Sequence, residues 1–132
     1  MLDKDNRIKL LQGLPPKTKL TKSWAVRRAG YIIRKNIECD RPVKIRLVHA
    51  HKDPYFKTLN AIGYTYLANR DKPRKLQYFV IVIDQNQSVS NIIDLIIHEW
   101  AHALTWDHPE SKDHGNAWSK AYGKLYRLII ED

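Results

Sequence analysis

Apolar positions in this chain follow two periods, one near four residues and one of two, and the switches between them divide it into elements. From Thr21 to Ile37 the residues Trp24, Ala25, Ala29, Ile32 and Ile33 recur at helical spacing, while Arg27, Arg28, Arg34 and Lys35 fall mostly on other faces. That pattern predicts a basic amphipathic helix. Pro42 breaks it, and Val43, Ile45 and Leu47 then alternate with Lys44 and Arg46 as in a half-buried strand. A second strand is expected over Ala61–Leu67. A third, Tyr78–Ile83, reads YFVIVI and is closed by the polar run DQNQS, the strongest strand signal in the chain.

Asn91 is expected to cap the next helix, with Asp94 three residues on and Ile92, Ile93, Leu95, Ile96, Ile97, Trp100, Ala101 and Leu104 following. Being apolar nearly all round, this helix should be buried. After DHPESKD a last helix is expected from about His114, with Ala117, Trp118, Ala121, Tyr122, Leu125, Leu128 and Ile129 on one stripe. Gly13 and the Pro15-Pro16 pair mark residues 1–19 as an N-terminal arm, leaving 20–132 as the folded domain. The order α-β-β-β-α-α makes this an α+β protein.

Length fits one domain: 132 residues suffice for a single core and are too few for two ordinary ones. The single cysteine, Cys39, excludes an internal disulfide and a Cys₄ zinc ribbon, so a metal must be held by His and carboxylate. With no secretory signal and no apolar run of membrane-spanning length, a soluble cytoplasmic protein without membrane contact is expected.

The charge of +9 is lopsided: residues 1–50 hold 13 of the 23 Lys/Arg but only 4 of the 14 Asp/Glu. A basic block of this kind can follow a phosphate backbone, with Trp24 and Tyr31 as stacking surfaces and Arg27, Arg28, Arg34 and Lys35 as contacts. It is equally well explained as a solvated helix face.

The chemistry concentrates in HEWAH, residues 98–102. His98 and His102 lie four apart on a helix, so both imidazoles leave one face at a separation one tetrahedral ion can bridge. Glu99 is adjacent. In the H-E-x-x-H arrangement two histidines bind zinc and the glutamate is general base, taking a proton from water and delivering it to the leaving amine. Two histidines and a glutamate inside an apolar helix would be costly without such a partner.

For a third ligand both His108 and His114 are candidates. His108 stands at the metzincin spacing, but Thr105 occupies the glycine position and the only methionine is Met1, so no Met-turn exists. His114, on the inward stripe of the last helix, is favoured, with His108 a loop residue or N–H donor near the cleft.

The segment HEWAHALTWDHPESKDHGNAW, followed through His98–Trp118, resembles the signature of SprT-like metallopeptidases, an H-E-x-x-H helix followed by H-G-x-x-[FW]. Upstream, AIGYTYLANR and the apolar strand after it are loosely similar. The resemblance implies a single zincin-like domain with an N-terminal helix, a small three-stranded sheet, the H-E-x-x-H helix and a C-terminal helix carrying the third ligand. It implies His98, His102 and His114 as ligands to one Zn²⁺, Glu99 as catalytic acid/base, and protein substrates associated with DNA. Family members often add a zinc ribbon for DNA; here any DNA contact is expected from the domain itself.

Two expectations concern the cleft. Strand Tyr78–Ile83 should lie beside it and accept an extended peptide by strand addition. An oxyanion donor is expected among Tyr64, Tyr66, Tyr122 and His108. The competing function is a nucleic-acid-binding module with a structural zinc, closed by His108 as fourth ligand.

Overall fold

The computed structural model describes residues 21–59, 61–108 and 114–130, so the arm 1–19 and most of the DHPESKD connection lie outside it. Helix α1 (Lys22–Asn36) starts where the pattern placed it, the Thr21 hydroxyl accepting from the Trp24 N–H at 3.0 Å. It ends on Arg34 and Lys35, cations suited to a helix C-terminus. Ala25, Ala29 and Ile33 are its buried stripe.

Strands β1 (Val43–Val48), β2 (Gly63–Ala68) and β3 (Tyr78–Asp84) form one sheet in the order β1-β3-β2, with β1 parallel and β2 antiparallel to β3. The unbroken apolar run of β3 follows from its place: it is central, covered on both faces, and Phe79–Asp84 are all buried. The expectation that β3 accepts a peptide is thereby corrected, since both its edges are already paired. Among the described residues the outer edge of β2 carries no partner strand.

Between β1 and β2 the chain forms a 3₁₀ turn (Ala50–Lys52) and a short helix α2 (Pro54–Leu59), which the periodicity did not predict. Six residues are too few for a period to register. The local chemistry does signal it: Asp53 Oδ1 accepts from the N–H groups of Tyr55 and Phe56, and Pro54 takes the first helical position.

Helix α3 (Val89–Leu104) carries the H-E-x-x-H segment. Its cap is Ser88, whose hydroxyl accepts from the Asn91 N–H at 3.2 Å, so it starts one turn before the expected Asn91. Ser88 is as good a cap, and the earlier start buries Ser90. Helix α4 (Asn116–Ile129) begins two residues later than expected, with Gly115 at its N-cap. His114 sits just outside it at φ 51°, a left-handed conformation in which histidine is enriched among non-glycine residues.

Helix α3 packs on one face of the sheet, and α1 and α4 pack against α3 around the same core. Ile33 of α1, Phe79, Ile81 and Ile83 of β3, Ile92, Ile93, Ile96, Ile97 and Trp100 of α3, and Leu125 and Ile129 of α4 form a continuous core. Each such side chain contributes roughly 1.5–3 kcal/mol on burial. On the opposite face Phe56 of α2 packs with Val80 and Val82, and Val48, Tyr64 and Tyr78 are partly buried against them. Among the described residues no helix is long and apolar enough to cross a membrane.

Candidate metal centre

Helix α3 buries Ile93, Ile96, Ile97, Trp100 and Ala101, which rotates His98 and His102 toward the groove between β2 and α4. Both are half-buried, and their rings lie 5.1 Å apart edge to face. His114 reaches them from the turn before α4. Its Nε2 is 2.9 Å from His102 Nε2, and one donor nitrogen from each of the three imidazoles falls within 4.8 Å of the others. His114 is exposed, which corrects the expectation of an inward-facing position on the helical stripe. The left-handed turn, rather than a helical face, aims it at the pair.

Trp118, one turn into α4, fixes this cluster. Its ring contacts those of His98, His102 and His114 at 4.9, 5.5 and 4.4 Å between centroids, and its indole N–H donates to the His98 carbonyl at 3.3 Å. Burial and the neighbouring His114 lower the His98 pKa, favouring the neutral form that binds metals. Three nitrogen donors converging on one point, with two facing each other at hydrogen-bond distance, suit a borderline-soft divalent ion. The three histidines therefore lie close enough to hold one metal ion, and among the described residues no fourth His, Cys or carboxylate joins the group.

Glu99 points to the other side of the cleft and is 6% exposed. Thr65 of β2 donates its hydroxyl to Glu99 Oε1 at 2.8 Å, and Glu99 Oε2 lies 3.9 Å from His98 Nε2. Desolvation raises the Glu99 pKa against the lowering effect of the Thr65 bond. A cavity of about 510 Å³ joins these groups, lined by Gly63, Tyr64, Thr65, Arg70, Trp106 and the three histidines with Glu99. Thr65 and Arg70 were not singled out from the sequence, and Trp118 was expected only as a core residue on the stripe of the last helix. Only Trp118, at the aromatic position of H-G-x-x-[FW], carried a local signal; the other two come from a distant strand and turn.

The remaining candidates are dispersed. Tyr122 stacks on Trp118 at 5.1 Å and donates its hydroxyl to Asp94 at 2.8 Å, which with burial raises its pKa strongly. The Tyr64 ring packs on Tyr55 and Phe56 on the far face of the sheet, and Tyr66 lines a separate cavity there. His108 lies in the turn after α3 beside Asp40, Arg41 and Arg74, away from the other histidines, so the fourth-ligand role has no geometric support.

On α1, Arg28 and Lys35 flank the exposed Tyr31 ring, each at 5.7 Å, and Arg27 is exposed. Arg34 instead donates to the Val43 carbonyl at 2.7 Å and lies over the Trp100 ring, a packing role. Compared with family models, curated proteins and solved structures, the chain matches none of the three, so this centre is defined by its own geometry.

Proposed function

We propose that this protein is a zinc-dependent endopeptidase of SprT-like type that cleaves extended segments of proteins, including proteins held on DNA. The observation that carries the reading is the pairing, across one cavity, of a three-histidine cluster with a buried carboxylate whose pKa desolvation raises. A zinc ion held by His98, His102 and His114 would supply a Lewis acid that polarises a carbonyl and acidifies water.

The chain's own groups account for the remainder. Thr65 holds Glu99 Oε1 in place and leaves Oε2 to accept a proton from water and pass it to the leaving amine. A raised pKa makes the Glu99 carboxylate a stronger base toward water in the first transfer than an ordinary carboxylate.

The unpaired edge of β2 gives a peptide somewhere to lie. The Asp84 N–H donates to the Ile62 carbonyl at 3.0 Å, which fixes the antiparallel phase. Tyr64 and Tyr66 then bond inward to β3, and the N–H and C=O groups of Gly63, Thr65 and Leu67 point outward. An added strand would run past Thr65 and hence past Glu99.

Glu99→Gln tests the reading. It should lower casein cleavage by about 10²- to 10⁴-fold while bound zinc, measured by atomic emission, stays stoichiometric. Cleavage at the parent rate would remove Glu99 from the chemistry, and absence of cleavage by the zinc-loaded parent would remove the peptidase.

A further inference from the structure

The face of the sheet turned away from the three long helices forms a trough with walls of different chemistry. Its floor is the buried cluster of Val80 and Val82 of β3, at 3% and 1% exposure, with Phe56 packed against them. In register, Lys44 stands across Val80 from Tyr66, and Arg46 stands across Val82 from Tyr64. One wall is therefore cationic and the other aromatic. Tyr55 of α2 adds a third ring, 4.6 Å from Tyr64, and Tyr78 lies under the Lys44 ammonium at 4.4 Å.

These groups are available. Tyr55 is 53% and Tyr66 39% exposed, Lys44 and Arg46 are exposed, and Arg46, Tyr55, Tyr64 and Tyr66 surround a cavity of about 360 Å³. The nearby carboxylates are committed to backbone donors: Asp53 to Tyr55 and Phe56, and Asp84 to Ala50 and Asn86. Both keep their negative charge, and the charge of Asp53 is felt at Tyr64; the wall across from the tyrosines carries the two cations Lys44 and Arg46.

We infer that this trough binds single-stranded nucleic acid, with phosphates along Lys44 and Arg46 and unpaired bases stacked on Tyr66, Tyr64 and Tyr55. Two residues along a strand separate the cations by roughly 6.7 Å, close to the phosphate step of an extended single strand. Two strand spacings, about 9.6 Å, separate the walls, room for a nucleotide to span from phosphate to base. Stacking on side-chain rings requires open base faces, which a duplex hides. An acidic peptide would satisfy the cations and leave the rings unused. This surface is distinct from α1 and does not depend on the peptidase reading.

Fluorescence anisotropy with a labelled oligothymidine of about 15 nucleotides tests it on the full chain, with circular dichroism confirming that each variant folds. Binding should weaken with salt; Tyr66→Ala should weaken it by about ten-fold or more, Tyr66→Phe should leave it close to parent, and Arg46→Gln should flatten the salt slope. The inference is overturned if oligothymidine does not bind, if Tyr66→Ala and Arg46→Gln bind as the parent does while the Arg27→Gln/Arg28→Gln/Lys35→Gln chain does not, or if polyglutamate displaces the strand at matched charge.

Discussion

The Thr65 hydroxyl donates to Glu99 Oε1 at 2.8 Å and lies 3.3 Å from the Glu99 carbonyl, so the edge strand and the H-E-x-x-H helix are joined at the carboxylate itself. Removing that donor should raise the Glu99 pKa further, because a hydrogen bond to the ionised form is lost from a desolvated site. Thr65→Val is expected to move the acid limb of the pH–rate profile to higher pH and to cost about 1–3 kcal/mol at neutral pH, with Thr65→Ser close to parent. An unmoved acid limb in Thr65→Val would show that the bond does not tune Glu99.

The buried charge also makes a thermodynamic prediction for the metal-free protein. The folded-state pKa of Glu99 lies above its ordinary 4.5, so the folded chain binds more protons than the unfolded chain in the window above that value. Stability then falls as pH rises through the window and levels off once Glu99 is ionised in both states. In Glu99→Gln this loss is absent. With chelator present, the Tm of Glu99→Gln should exceed the parent's by a margin that widens with pH; a margin constant across pH would contradict the burial argument.

Zinc should raise the Tm of the parent in proportion to the logarithm of its concentration, with one ion bound per chain. His114→Ala should weaken that binding by more than about 100-fold, beyond what losses outside the donor set cause. On acidification the stabilisation should fade as protons compete with the ion for the donor nitrogens, with burial and His114 holding the His98 pKa down. Equal zinc affinity in His114→Ala and parent, read by competition with a chromogenic chelator, would refute the three-histidine centre.

Arg41 ties the segment after α1 to the end of α3. It is 4% exposed, pairs with Asp107, donates to Gln77 at 2.9 Å and lies over the Phe79 ring at 4.8 Å. Its partner Asp107 is 57% exposed and also within 3.2 Å of Arg74. Arg41→Ala should therefore cost about 3 kcal/mol in urea unfolding, through lost packing as well as lost charge, and Asp107→Ala less than about 1 kcal/mol. Equal costs would mean that the charge pair alone matters.

Much of this architecture was legible in the chain. Thr21 and the Ala25, Ala29, Ile33 stripe located α1, the run YFVIVI located the most buried strand, and the four-residue spacing of His98 and His102 placed two donors on one helical face. Each of these is a local property, fixed by backbone periodicity and short-range capping. What lay out of reach depends on where separate elements come to rest. The sheet order put β3 in the centre and left β2 as the free edge, and it brought Thr65 to Glu99 across 34 positions of sequence. His114 joined the histidine pair through a left-handed turn and the packing of Trp118, neither of which a hydrophobic stripe encodes. The wall of tyrosines facing Lys44 and Arg46 exists only because three strands share one register, and register is settled by core burial summed over the whole domain.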